Sequence, residues 1–374
     1  MYRIGNIGRA GILAGLLGWA ASIHASDAVV GPGNCNEAGF TNALSAVDNS
    51  GGGTITFNCG TATFTVTSYK SIANTVVIDG GGRITFDGGG SSAFFQVFAS
   101  AQVTLRNLTL RHGVFNAVHA VENFGTLTLD RVTLAENTSS ESPLMNYGSA
   151  TVIDSTFSGN ASASSGGAIS NLGTSLDVSG STFDGNSATN GAAIYSEAPL
   201  AVTNSTFSAN TASGGGGAIY QTDAADALLV FVTAAGNTAV FGAGVYKDAG
   251  NFDHAMTVAN SIFSGNATGN CDGVIESAGY NLSDDTHCGA AFTGPGDLNN
   301  VALPMQPLGD NGGPTRTQPP QAGNPAIDHV PLASCPEPFD QRGGARPFGA
   351  ACDSGAVEVG SAAGDRIFAD GFEA

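Results

Sequence analysis

The sequence predicts an all-β protein: a right-handed parallel β-helix of about nine or ten coils with an N-terminal cap helix and a loop-rich C-terminal tail. Three observations carry this. First, an apolar residue, two small or polar residues and an asparagine recur as one phrase. It reads Leu134-Ala135-Glu136-Asn137, Phe157-Ser158-Gly159-Asn160, Phe183-Asp184-Gly185-Asn186, Phe207-Ser208-Ala209-Asn210 and Phe263-Ser264-Gly265-Asn266, with Asn237 keeping the beat before the last. Second, successive asparagines lie 23, 26, 24, 27 and 29 residues apart, the period of a stacked repeat. Third, each period holds two or three short β-prone runs and no helix pattern. Such runs cannot build a βαβ sheet, but a coil can pair them with the coils above and below.

The elements follow in order. Residues 1–25 read as an export signal: Arg3 and Arg9 flank the start of an apolar core at 10–21, and Ile23-His24-Ala25 fits a cleavage point. That core is too short to span a bilayer. Residues 26–50 form the cap, where 36–49 is an amphipathic helix presenting Phe40, Ala43, Leu44 and Val47. Gly51-Gly52-Gly53 ends it. The β-helix occupies 51–290, a column about 45 Å long. Strand-like runs stand at 54–57, 63–67, 75–78 and 84–86. Each later coil then opens on an alternating run, at 103–105, 127–129, 151–153, 176–178, 200–202, 228–230 and 256–258. A second strand per coil is read at Gly166-Gly167-Ala168-Ile169, Gly191-Ala192-Ala193-Ile194, Gly216-Gly217-Ala218-Ile219 and Gly242-Ala243-Gly244-Val245.

The repeat explains its own residues. Phe157, Phe183, Phe207 and Phe263 are expected to point inward and stack. Each asparagine is placed at a turn in left-handed backbone, with the amides bonding to one another along the column. After Asn266 the pattern fades into an irregular coil at 269–288. Residues 291–360 are rich in Pro and Gly and form the tail. Residues 361–374 read as a linker and a sorting or anchoring segment.

Composition narrows the partners. Without the leader, ten basic residues face 31 acidic ones, a net charge of −21. That excludes nucleic acid and anionic lipid as partners, since both are held by Lys and Arg. Calcium is the cation such a surface would take. Six cysteines in an exported chain point to disulfides. By proximity they pair as Cys35 with Cys59, Cys271 with Cys288, and Cys335 with Cys352, stapling both ends of the stack and the tail.

Two groups of residues are candidate sites. Aligning the coils sets Arg106 beside Asp130, and Asn107 beside Arg131 and Asp154, with Arg111, His112, Glu122 and Glu136 in the same coils. An Arg-rich patch with flanking acids could bind an acidic sugar and abstract a proton; surface ion pairs across coils are the simpler account. Separately, Tyr195, Tyr220 and Tyr246 follow inward residues, so alternation points them outward as a stacked platform for sugar rings or a partner protein. A shielding cross-strand ladder is the alternative.

The Gly-Gly-Ala-Ile and Phe-x-x-Asn phrases resemble the repeats of polymorphic outer membrane proteins. Gly279-Tyr280-Asn281-Leu282-Ser283 and the tail phrases Asn311-Gly312-Gly313-Pro314-Thr315, Gly323-Asn324-Pro325-Ala326-Ile327-Asp328, Asp340-Gln341-Arg342-Gly343, Arg346-Pro347 and Cys352-Asp353-Ser354-Gly355-Ala356-Val357-Glu358 resemble bacterial choice-of-anchor Q domains. These resemblances imply a right-handed β-helix exported to the medium or the outer surface of a Gram-negative cell. They carry no catalytic motif. Members of the first family end in a translocating barrel, for which this chain has no room. Right-handed β-helices also house pectate lyases and polygalacturonases, but fold does not decide function. Of the Asn-Thr-Asp, Asp-Asp and Gly-His-Gly phrases of galacturonan hydrolases, only Asp284-Asp285 occurs. A non-catalytic surface protein for adhesion, binding or display is therefore expected, with a polysaccharide lyase or glycoside hydrolase as the alternative.

Overall fold

The computed structural model describes residues 25–115, 119–250 and 254–364. The leader and the segment 365–374, with the readings placed on them, lie outside the described residues. What is described is a parallel β-helix. Its three faces are built from the short runs of each coil, every one paired in parallel with the runs before and after it. The first face stacks Thr75–Asp87, Gln102–Arg111 and Thr126–Ala135, strands long enough to bend round a corner onto the second face. Beyond them the corner separates the runs, as in Ser149–Ile153 and Thr156–Ser158. The third face is a nine-stranded sheet, among the described residues, from Lys70–Ile72 to Cys271–Gly273.

The helix spans Glu37–Asn49, with Asn36 capping it through a bond from Gly39 N to its side chain. Phe40, Leu44 and Val47 are buried over the first coils, as the amphipathic pattern predicts. A strand at Ala28–Val30, unread in the sequence, pairs with Gly52–Phe57 beneath the cap. Glu37 ties the helix to the third face through Lys70 at 2.7 Å. Burial pushes its carboxyl up, but bonds from Lys70 and Thr67 outweigh this and hold it at about 2. All three disulfides join the expected partners.

Inside, Phe157, Phe183 and Phe207 stack face to face at 4.8 Å with nearly parallel planes. Ala234 interrupts the stack, and Phe263 packs instead on Phe292. The recurring asparagine needs a correction. The left-handed residue is the one before it, as at Glu136, Gly159, Gly185, Ala209, Gly236 and Gly265. That reversal turns the asparagine inward, where five of the six are wholly buried. Their amides do bond along the column: Asn137, Asn160, Asn186, Asn210 and Asn237 each donate Nδ2 to the next Oδ1 at 2.9 to 3.0 Å. Each Oδ1 also accepts the backbone N–H of the preceding asparagine. The ladder runs through Asn266 and Asn270 to Asp284.

The glycine phrases also sit differently. The strand begins only at their last residue, as in Ile169–Asn171 and Ile194–Ser196, and the glycines form the corner. Gly191 takes φ +56 there, and a Cβ on Gly167 would lie 2.1 Å from Ala192 O. A second amide ladder, Asn123 to Asn146 to Asn171, lines the opposite corner from within, where the third-face strands end.

The tail folds back along the second face. Gln341 donates to Ser181 O and Thr182 Oγ1 and accepts from Thr206; Ala356 N donates to Thr233. The outward column Thr182, Thr206, Thr233 and Ile262 is buried beneath it, whereas Thr109, Thr133 and Thr156 of the same column stay part-exposed.

Candidate functional site

The arginine candidates separate onto two corners. At the first, Arg106 lies in register between Asp79 and Asp130, as the coil alignment predicts, and its Nε donates to Asp79 at 2.9 Å. Asp79 also accepts from Gly81 N and Asn107 Nδ2. Burial pushes its carboxyl up, but these donors leave it below the usual range. Arg131 reaches Asp130 of its own coil at 3.1 Å. Asn107, Arg131 and Asp154 all take positive φ and stack as one corner, so their alignment also holds, with Asp154 almost fully buried.

Arg111 is five residues further along the strand, on the order of 15 Å. There Asp87 accepts from Arg111 at 3.0 Å and from His112 at 3.2 Å, and His112 Nε2 meets Glu136 at 2.7 Å. Glu122 leaves the group altogether. It stands on the third face, bonded to Gln96. The residues gathered by sequence are thus two ion-pair corners and a distant carboxylate, not one cleft.

His112 makes one corner pH-sensitive. Glu136, then Asp87, raise its pKa above the ordinary 6.5. A raised folded pKa means that the stabilisation is complete below about 6.5 and is lost as pH rises through the folded value. In an NMR titration Glu136→Gln is expected to bring the His112 midpoint down; an unchanged midpoint would remove Glu136 as the cause.

The tyrosine column points outward and stacks from coil to coil. Tyr195, Tyr220 and Tyr246 are in register, part-exposed, with ring centroids 5.3 and 4.7 Å apart. Tyr195 donates to Glu197 at 2.8 Å and Tyr220 to Asp248 at 2.7 Å. Burial and these carboxylates push both phenols up. Lys247, the sole Lys or Arg between Arg131 and Arg316, is turned inward. It is fully buried, donates to Thr222 O at 2.7 Å, and burial lowers its pKa. No solute on the surface meets it.

Sequence reasoning missed a second aromatic column at the adjoining corner. Phe124 stacks on Tyr147 at 5.1 Å and 10°, with Phe98 exposed one coil earlier. Its signal was present: Asn123-Phe124-Gly125, Asn146-Tyr147-Gly148 and Asn171-Leu172-Gly173 repeat one phrase. Also unread was a shallow depression of about 450 Å³ on the first face, lined by Asp177, Ala201, Asp226, Leu228 and Thr257. Among the described residues, no group of three or more His, Cys, Asp or Glu could hold a metal, and no helix is long and apolar enough to cross a membrane.

The most specific tail phrases serve the dock. Arg346 and Glu358 are fully buried at 2.9 Å, Arg346 lies 4.1 Å over the Phe231 ring, and Arg342 clasps Asp340 with two donors. Asp353 is pushed up to about 6 by burial, partly offset by bonds from Asp328 N and Val359 N.

The fold thus defines a β-solenoid protein whose ionic groups pair locally and whose third face carries aromatic columns. A family model for the Chlamydia polymorphic membrane protein repeat matches residues 154–172, 180–197 and 204–222. Each match runs from the second face across the glycine corner to the third. No curated protein sequence and no solved structure matches the chain.

Proposed function

We propose that this chain is an exported, non-catalytic binding column, displayed at the outer surface or released to the medium, whose ligand side is the Tyr195, Tyr220 and Tyr246 face. The observation that carries this is the spacing of those rings, one per coil at 4.7 to 5.3 Å, with their hydroxyls held by carboxylates. Such rigid aromatic faces bind at little conformational cost. Repeats of the matched type, disulfides suited to an oxidising compartment and the leader-like start support the location. The ligand is a glycan or a surface protein.

An isothermal titration panel of acidic, basic and neutral oligosaccharides, with and without calcium, tests the face. Tyr195→Ala/Tyr220→Ala is expected to weaken whichever probe binds by about tenfold, at about 0.5 to 1 kcal/mol or more per ring. Unaltered binding would move the ligand elsewhere. Calcium belongs to the assay as the cation that the acidic surface would take.

A second reading, a polysaccharide lyase or glycoside hydrolase, is favoured by the Asp79, Arg106, Asp130 and Arg131 group at the first corner. The triple substitution Arg106→Gln/Arg111→Gln/Arg131→Gln separates the two. For a scaffold it costs about 0 to 1 kcal/mol per exposed pair and leaves ligand binding intact. Polysaccharide turnover by the wild type that the triple variant loses would establish the enzyme.

A further inference from the structure

The two aromatic columns form one track. On the third face, in register, stand Gln96, Glu122, Met145, Ser170, Tyr195, Tyr220, Tyr246 and Asp272. The corner column beside it reads Phe98, Phe124, Tyr147, Leu172, Glu197, Thr222 and Asp248, each bonded through its N–H to the preceding coil. In the early coils the aromatic is at the corner and the acid, Glu122, on the face. In the later coils this is reversed: the tyrosines are on the face, and Glu197 and Asp248 stand at the corner. The aromatic line passes from one column to the other across the single ring-free coil of Ser170 and Leu172, and carboxylates flank it at Glu122, Glu197 and Asp248. From Phe98 to Tyr246 it covers seven coils, about 29 Å.

Neither column contains Lys or Arg. The two lysines in the strands of this face, Lys70 and Lys247, are both buried, one against Glu37 and one against Thr222 O. The track is therefore aromatic and anionic and presents no Lys or Arg at its surface. Aromatic faces attract cations, and carboxylates pair with ammonium groups, so the complementary ligand is positively charged.

We propose that this track binds a linear amino-sugar polymer bearing free amines, laid lengthwise along the column. The proposal rests on the reading of the tyrosine face as the ligand side. A β-linked pyranose advances along its chain by about 5 Å, close to one strand-to-strand step. Successive rings therefore meet successive aromatics within each run of three, Phe98 to Tyr147 and Tyr195 to Tyr246, and protonated amines have Glu122, Glu197 and Asp248 to pair with. An extended basic peptide fits less well, because its same-side residues recur at about 6.7 Å and drift out of step within two or three coils. Each contact is weak, and affinity grows with the number of rungs engaged.

The test is calorimetric titration of the full-length mature protein with four probes: a glucosamine hexamer, its fully N-acetylated form, a neutral glucose hexamer and hexalysine. The glucosamine hexamer is expected to bind at least about tenfold more tightly than the other three. Its affinity should fall with salt, about three- to tenfold in Tyr220→Ala, and also in Glu197→Gln/Asp248→Asn. Tyr220→Phe, which keeps the ring, guards against a folding defect. If an uncharged hexamer binds as well and Tyr220→Ala still weakens it, the cationic ligand is overturned while the tyrosine face stands. Hexalysine binding in preference to glucosamine overturns the sugar. Absence of binding by every probe overturns the amino-sugar ligand, and binding that is indifferent to Tyr220→Ala overturns the tyrosine face as well.

Discussion

Replacing Glu358 with alanine is expected to release the tail from the column while the column itself stays folded. Glu358 is fully buried. Its two oxygens accept from Arg346 Nη1 at 2.9 Å, Phe348 N at 2.6 Å and Asp353 N at 2.9 Å. Removing it takes from the buried Arg346 its hydrogen-bonded ion-pair partner, at a cost of about 3 kcal/mol. That energy is local. The tail adheres through Gln341, Gly355 and Ala356 to a column whose ladders and aromatic stack do not depend on it. Hydrogen exchange checks this directly: the amides of Gln341, Gly355 and Ala356 should lose protection while those of Asn160 and Asn186 keep it. Equal loss in both sets would mean that the tail and column unfold as one unit.

Asn186→Ala should produce the largest loss within the column. The side chain makes four bonds: Nδ2 to Phe157 O and to Asn210 Oδ1, and Oδ1 from Asn160 Nδ2 and N. Alanine would strand two donors of Asn160 and one carbonyl in a dry interior, each worth about 1 to 3 kcal/mol. A loss of about 3 kcal/mol or more is expected in urea unfolding, against less than about 0.5 for exposed Ser187→Ala. Because a solenoid transmits stability only between neighbouring coils, a break in the middle should also split one transition into two. A change no larger than that of Ser187→Ala would show that water replaces the amide freely.

These two residues mark what was legible in the sequence. Asn186 announced itself by periodicity, because every coil needs the same amide at the same height. Its local geometry was misread, since a period gives position and not the direction of a side chain. The reversal at Gly185 decides that direction. Glu358 belongs to no period. Its partners Arg346 and Asp353 are near in sequence, but the surface they dock on begins over 100 residues earlier, at Thr206 and Thr233, and no local pattern encodes such a contact. The same holds for the candidate site. Register placed Arg106 beside Asp130 and aligned the tyrosines, because strand pairing carries coil-to-coil alignment. It could not tell that the corner between residues 106 and 111 separates the arginines, nor that Lys247 faces inward.

The asparagine ladder has one more property. Each rung gives one side-chain N–H to the Oδ1 of the next asparagine and the other to a backbone carbonyl of the coil before, so the amide-to-amide bonds from Asn137 to Asn266 all run in one direction, each polarising the next. The positive end emerges at Asn270, where the Asp284 carboxylate meets it at 2.8 Å, much as an acidic residue meets the start of a helix. Asp284, half of the only Asp-Asp pair in the chain, is thereby the counter-charge that terminates an electrically polar column. Its placement gives the solenoid a direction that its near-repeating coils would otherwise lack.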